Sequence, residues 1–132
     1  IQRLVQEFRA NTLIDVNIQG PDGELGSLPE EQSVALFHIC QEALANIAKH
    51  AKAHHVEIVV WSTPDRALIE VQDDGRGFDL DKVKLTIGHG LSNMETRAAN
   101  VGGDVDITSE PGNGTSVLAW VPLPQVDSLI IE

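Results

Sequence analysis

The chain has 132 residues, 42% of them apolar, the size and composition of one soluble domain with an ordinary core. Nine Lys and Arg stand against 20 Asp and Glu, a formal net charge of -11 scattered along the chain. That balance argues against nucleic acid or direct membrane contact, because phosphate surfaces are bound by basic ones.

Cys40 is the sole cysteine, so neither an internal disulfide nor a thiolate metal cluster is available, and a reducing interior is the natural compartment. No run approaches the roughly twenty apolar residues of a membrane span, and no signal peptide opens the chain. Because it starts at Ile1 without methionine, it reads as an excised piece of a longer protein.

In residues 1–10 Leu4, Val5 and Phe8 fall at helical spacing, which predicts the end of a helix. Leu13 to Gln19 alternates Ile14, Val16 and Ile18 against Leu13, Asp15 and Asn17, a strand pattern, and Gly20 to Gly26 is a loop. Pro29, Glu30 and Glu31 suit a helix start, with Ser27 and Glu30 at capping-box spacing. A long helix is expected to run to about Ala53, burying Phe37, Cys40, Leu44, Ile47 and Ala51. Another stripe of that helix carries Glu42, Asn46, Lys49 and His50, placed to converge on one ligand.

Val56 to Ser62 and Ala67 to Asp73 are strands of a hairpin turned at Thr63-Pro64-Asp65-Arg66. Asp79 to His89 shows little periodicity and reads as a mobile link to Gly88-His89-Gly90. Leu91, Met94, Ala98 and Val101 step as a helix that Gly102-Gly103 stops. A second hairpin joins Asp104–Ser109 to Ser116–Val121 through Glu110-Pro111-Gly112-Asn113-Gly114. The tail, residues 125–132, is ambiguous. Helices and antiparallel hairpins in this order imply an α+β fold, a two-layer sandwich with helices over one face of a mixed, mostly antiparallel sheet.

Within that sandwich Ala67, Ile69, Val71 and Asp73 point to one face, so Asp73 aims where the buried residues aim. A carboxylate there, followed by Gly75 and Gly77, suggests a buried acceptor for a donor such as a nucleobase amine.

Four ordered features carry a resemblance: Glu42-x-x-x-Asn46-x-x-Lys49-His50, Asp73-x-Gly75-x-Gly77, Gly88-x-Gly90-Leu91, and Gly112-x-Gly114-Thr115. Together they resemble the ATP-binding catalytic domain (Bergerat fold) of bacterial sensor histidine kinases, in the superfamily shared with gyrase, mismatch-repair ATPases and the large heat-shock chaperone. The resemblance covers about Leu28 to Pro124, and its phrasing looks most like the subclass that signals to NarL-type response regulators.

The resemblance implies that Asp73 accepts from the adenine amine while Gly75 and Gly77 make room for the base. Asn46 matches the magnesium ligand, Lys49 and His50 match positions near the phosphates, and Glu42 matches an acidic position near magnesium or an activating water. Gly88 and Gly90, with Leu91, match the lid glycines before a helix, and Gly114 and Thr115 match the hairpin that closes the site. Glu95 departs from the more basic subclass pattern, which leaves Arg97 as the cation of that helix. The lid lacks a separate phenylalanine-centred box. None of His38, His50, His54, His55 or His89 is followed by Asp or Glu, so the phosphoacceptor histidine is expected on a separate dimerisation domain, with residues 1–12 the end of a linker helix. The implied activity is transfer of the γ-phosphoryl group of Mg-ATP to that histidine, in the cytoplasm, within a homodimeric parent that signals to a response regulator.

Plainer readings stand beside these. Asp-x-Gly-x-Gly alone is a turn signal, Ser92 and Glu95 have capping-box spacing, and Arg76 is expected to face solvent. Cys40 reads as core, His54 and His55 as surface residues, and His89 as either a phosphate contact or solvent-facing. Trp61 and Trp120 fall opposite the core faces, where one of them would mark a partner surface. A serine/threonine kinase of the anti-sigma type and a nucleotide-binding module without transfer remain the alternatives.

Overall fold

A computed structural model describes residues 2–20, 28–77 and 89–124. Helix α1 (Gln2–Thr12) leads into strand β1 (Asp15–Gln19). Helix α2 (Glu30–Asn46) runs into a π-helical turn at Ile47–Ala51. Strands β2 (His55–Ser62) and β3 (Arg66–Asp73) form a hairpin, helix α3 (His89–Ala99) follows, and β4 (Asp104–Ser109) and β5 (Thr115–Pro122) form the second hairpin. The expected loop at 20–26, the link at 79–89 and the tail at 125–132 lie wholly or almost wholly outside the described residues.

The five strands make one sheet in the order β1-β2-β3-β5-β4, parallel between β1 and β2 and antiparallel elsewhere. Register aligns a row of one face across the whole sheet: Ile18 opposite Ile58, Ile58 opposite Val71, Val71 opposite Val117, and Val117 opposite Ile107. On that face α2 packs against β3 and β5 and also against α3, while Val5 and Phe8 of α1 join the same core. Leu36, Ile39, Ile58, Ile69 and Met94 are fully buried there, and each such side chain contributes about 1.5–3 kcal/mol on leaving water. This is the expected α+β sandwich.

On the other face Val59, Trp61, Leu68, Leu118 and Trp120 are half-buried, and the Arg66 guanidinium lies 4.2 Å from the Trp120 ring centre. Both tryptophans therefore lie opposite the core face, as the alternation implied.

Three features differ from the sequence reading. The first strand begins at Asp15, because α1 extends to Thr12 and Leu13 takes a left-handed φ of 62°. Thr12 Oγ1 donates to the Phe8 carbonyl (2.7 Å) and accepts the Ile14 amide (3.2 Å), a local cap that ends the helix and turns the chain. Second, the buried face of α2 is wider than the expected stripe. Leu36, Ile39 and Ala43 lie at its centre with Cys40 and Leu44, and Phe37 is only half-buried, because two neighbours, the sheet and α3, cover the helix. Its N-cap is Pro29 with no side-chain hydrogen bond, and Ser27 lies outside the described residues. Third, the α-helix stops at Asn46 rather than near Ala53. The π turn follows, and Lys52 closes it in the left-handed conformation (φ 51°, ψ 42°). The stop after α3 is as expected: the Gly103 amide donates to the Ala98 carbonyl (2.8 Å) and the Gly102 amide to that of Ala99 (3.0 Å), a Schellman closure.

Candidate functional site

Asp73 is the last residue of β3 and continues the inward parity of Ala67, Ile69 and Val71, so the strand's own pleat buries a carboxylate to 5% exposure. Its Oδ1 accepts the Gly75 amide at 2.8 Å, which folds the chain back in an Asx turn. Burial pushes its carboxyl above the usual carboxylate range, against hydrogen bonds from the Gly75 and Thr115 amides and with the charge of Asp74 adding to the rise. A carboxylate has about four acceptor sites, so two amides leave capacity for a further donor.

The β4–β5 hairpin closes over this turn. Asp73 is in register with Thr115 across β3 and β5, and the Gly112 amide donates to the Arg76 carbonyl. A Cβ on Gly114 (φ +76°) would fall 2.2 Å from the Asp73 carbonyl oxygen, and one on Gly77 (φ +65°) 2.0 Å from that of Glu110. Glycine is required at both positions by backbone meeting backbone. Gly77, expected to clear space for a ligand, is thus also needed for hairpin contact. Thr115 Oγ1 lies 2.8 Å from Ser109 Oγ, which itself donates to the Gly114 carbonyl (3.2 Å). Asp73, Gly75, Gly77, Gly114 and Thr115 are therefore brought together as one structural unit.

Asp74, which the sequence reading passed over, points the opposite way. Its Oδ1 accepts the amides of His54 (2.8 Å) and His55 (2.9 Å), and its own amide donates to the His55 carbonyl (3.2 Å). Those amide bonds hold its carboxyl below the usual range, so two adjacent aspartates are pushed in opposite directions. The signal available in the sequence was the doublet itself: on a strand of period two, the second aspartate must face away from the first.

Glu42 and Asn46 are half-buried near the end of α2, and Lys49 is exposed on the π turn. The i to i+5 bonding of that turn replaces the α spacing assumed for Asn46, Lys49 and His50, so the three do not continue one α-helical stripe. His50 is in the turn, but nothing of its side chain is described. Gly88 lies outside the described residues, while Gly90 and Leu91 fall inside the first turn of α3, which begins at His89 rather than after the second glycine. Arg97 is exposed and lines a surface groove with Glu30, Glu31, Val34 and Asn100, beside the first turn of α2. That end is roughly 24 Å along the helix from Asn46 at 1.5 Å per residue. Arg97 therefore stands at the Glu30 end of α2 rather than at its Asn46 end.

Residues 31–125 match the model of the histidine kinase-, DNA gyrase B- and HSP90-like ATPase family. The chain belongs to this ATPase family. Among relatives of the family, the sensor histidine kinase LiaS of Bacillus subtilis is 33% identical over 123 residues, 93% of the chain but 33% of LiaS. The sensor protein VraS of Staphylococcus aureus is 38% identical over 93 residues, 70% of the chain and 26% of VraS. The chain thus spans about a third or less of these relatives. A histidine kinase domain of the Erythrobacter litoralis EL346 blue-light activated histidine kinase superposes with a TM-score of 0.76 at 23% identity, covering 99% of the chain and 63% of that structure; at this identity it shows the shared ATPase fold. Among the described residues, no helix is long and apolar enough to cross a membrane.

Proposed function

We propose that the chain is the nucleotide-binding part of a sensor histidine kinase: it binds Mg-ATP with the adenine amine on Asp73, and in the whole protein delivers the γ-phosphoryl group to a histidine on a separate dimerisation domain. The observation that carries this reading is the buried Asp73 carboxylate at the end of β3, framed by Gly75, Gly77 and Gly114. An isolated buried carboxylate is costly, and a donor from a ligand would offset that cost.

Magnesium prefers oxygen ligands and commonly keeps its waters and the phosphate oxygens, taking only one or two ligands from protein. The half-buried Asn46 amide, with Glu42 one turn before it, fits that pattern. Bound there, the ion would neutralise phosphate charge. The chain's own contribution is to orient: Asp73 fixes the base, the start of α3 near Gly90 and Leu91 offers amides toward phosphate, and Lys49 and His50 sit on the π turn beside Asn46. The chain's acidity supports this division of labour, because a net charge of -11 leaves phosphate binding to a metal and to local donors.

The finer features follow the same reading: a cytoplasmic catalytic domain, a homodimeric parent and a NarL-type response regulator downstream. The anti-sigma type of kinase is the weaker reading, since LiaS and VraS are by name sensor proteins. The test is to incubate the full-length protein with magnesium and γ-labelled ATP. An acid-labile, alkali-stable label on histidine that disappears in Asn46→Ala is the expected result. An acid-stable label on serine or threonine of a separate substrate would overturn it.

A further inference from the structure

The segment that carries the proposed metal and phosphate residues and the turn that carries the base acceptor are joined at one side chain. After Asn46 the chain makes the π turn, reverses at Lys52, buries Ala53 and enters β2 at His55. The β2–β3 ladder ends at the pair Val56 and Asp73, so the residues between the π turn and Val56 lie beyond the pairing with β3, although His55 is in register with Asp15 of β1. Asp74 grips them from the other side. Its carboxylate takes both the His54 and His55 amides, at 2.8 and 2.9 Å, and its amide returns a bond to the His55 carbonyl at 3.2 Å. Amide bonds to an ionised carboxylate are short and about twice as strong as neutral ones, and the lowered carboxyl pKa agrees with their formation. Among the described residues, further tethers of this stretch lead elsewhere than the Asp73 turn: the Asp15 amide donates to the His54 carbonyl at 3.1 Å, and the His55 imidazole meets Glu57 at 2.7 Å and Asp15 at 3.5 Å.

We propose that Asp74 is a positioning residue: it fixes the separation between the Asp73 turn and the π turn after Asn46, so that one nucleotide spans the base and phosphate ends of the site at once. The inference rests on the nucleotide reading above. Asp74 faces away from Asp73 and touches no ligand in this scheme; it acts through the His54 and His55 backbone. A ligand that occupies only the base end is indifferent to that separation, whereas one that reaches both ends depends on it, as with any two-point attachment.

The experiment is a titration of Mg-ATP and of adenosine into the chain and into Asp74→Ala, Asp74→Asn and Asp74→Gln. The expected result is that Asp74→Ala weakens Mg-ATP about tenfold while adenosine stays within about twofold. Asp74→Asn, which keeps an oxygen at the same place, restores Mg-ATP to within about threefold. Asp74→Gln carries the same amide one methylene too far and behaves like Asp74→Ala, which covers the case of an alanine variant that does not fold. Equal loss of both ligands would show that Asp74 merely holds the turn together, and no loss of either would show that it sets nothing; both overturn the proposal. Absence of Mg-ATP binding by the unaltered chain would instead remove the nucleotide reading, and this inference with it.

Discussion

Gly112 and Gly114 stand two residues apart in the same hairpin turn, both with positive φ, yet they meet different surroundings. A Cβ on Gly112 (φ +84°) would have nothing within 4 Å, whereas one on Gly114 would lie 2.2 Å from the Asp73 carbonyl oxygen. Alanine at either position carries a left-handed backbone penalty of about 1 kcal/mol. For Gly112→Ala that penalty is the whole effect, a loss of about 4 °C in Tm for a domain of this size. For Gly114→Ala the hairpin must also retreat by roughly 1 Å to reach normal contact distance, and the obstacle is backbone that has no rotamer to give. That retreat loosens the Asp73–Thr115 pairing and the Gly75 turn beside it, at about 1 kcal/mol for each hydrogen bond lost. The total is about 3 kcal/mol, or about 12 °C. Thermal melts followed by circular dichroism measure both variants, and ATP titration of the folded fraction reports whether Asp73 has moved. Equal shifts in Tm for the two alanines would refute the argument that backbone approach, rather than φ alone, requires Gly114.

Three further outcomes follow from particular side chains. His55 lies between Glu57 (2.7 Å) and Asp15 (3.5 Å), and Asp15 is itself approached by Arg9 (3.9 Å); the Glu57 bond foremost holds the imidazole above its ordinary range, while the His55 bond holds the Glu57 carboxyl low. The histidine's contribution is fully present below about pH 6.5 and fades as pH rises through its raised value, and the Glu57 contribution fades as pH falls through its lowered one. The Tm gap between wild type and His55→Gln should therefore be widest between about pH 5 and 6.5, close by pH 9 and shrink in salt; a gap constant in pH would contradict this. Cys40 is fully buried and its thiol is pushed up to about 12 by desolvation, so a thiol reagent should react only as fast as the domain opens, and rapid labelling of the native protein would refute the placement. Leu13 holds a φ of 62° with 90% of its surface exposed, so Leu13→Asn should raise stability by about 0.5–1 kcal/mol in a denaturant melt, and a loss would mean that its side chain is engaged.

The sheet and its inward face were legible in the sequence because period-two alternation survives wherever one face is buried and the other is not. Val56, Ile58 and Val60, Ile69 and Val71, and Val117, Ala119 and Val121 all lie where alternation put them, and Asp73 was found by the same parity. Helix α2 was only partly legible. A single stripe describes a helix with one neighbour, and this one has the sheet and α3, so Leu36, Ile39 and Ala43 fell outside the expected set. The π turn at Ile47–Ala51 left no sign in composition, since Ile, Ala, Lys and His are all compatible with an α-helix. Leu13 was read as strand because nothing in its side chain announces a left-handed backbone; the cue was Thr12, whose hydroxyl satisfies the helix end. The candidate site at Asp73, Gly75, Gly77 and Gly114 was readable as a motif, but the structural reason for Gly77 and Gly114 was not, because it depends on which carbonyls face them across the fold.

The central claim is that Asp73 receives the adenine of ATP, and calorimetric titration tests it most directly. Asp73→Asn keeps the shape and the acceptor for the Gly75 amide while removing a buried charge whose pKa is already raised by desolvation, so the variant should melt no lower than wild type. With magnesium present, saturable ATP binding by the chain and its loss in this equally stable variant is the predicted result. Unchanged ATP affinity in Asp73→Asn, with the fold intact, would contradict the account.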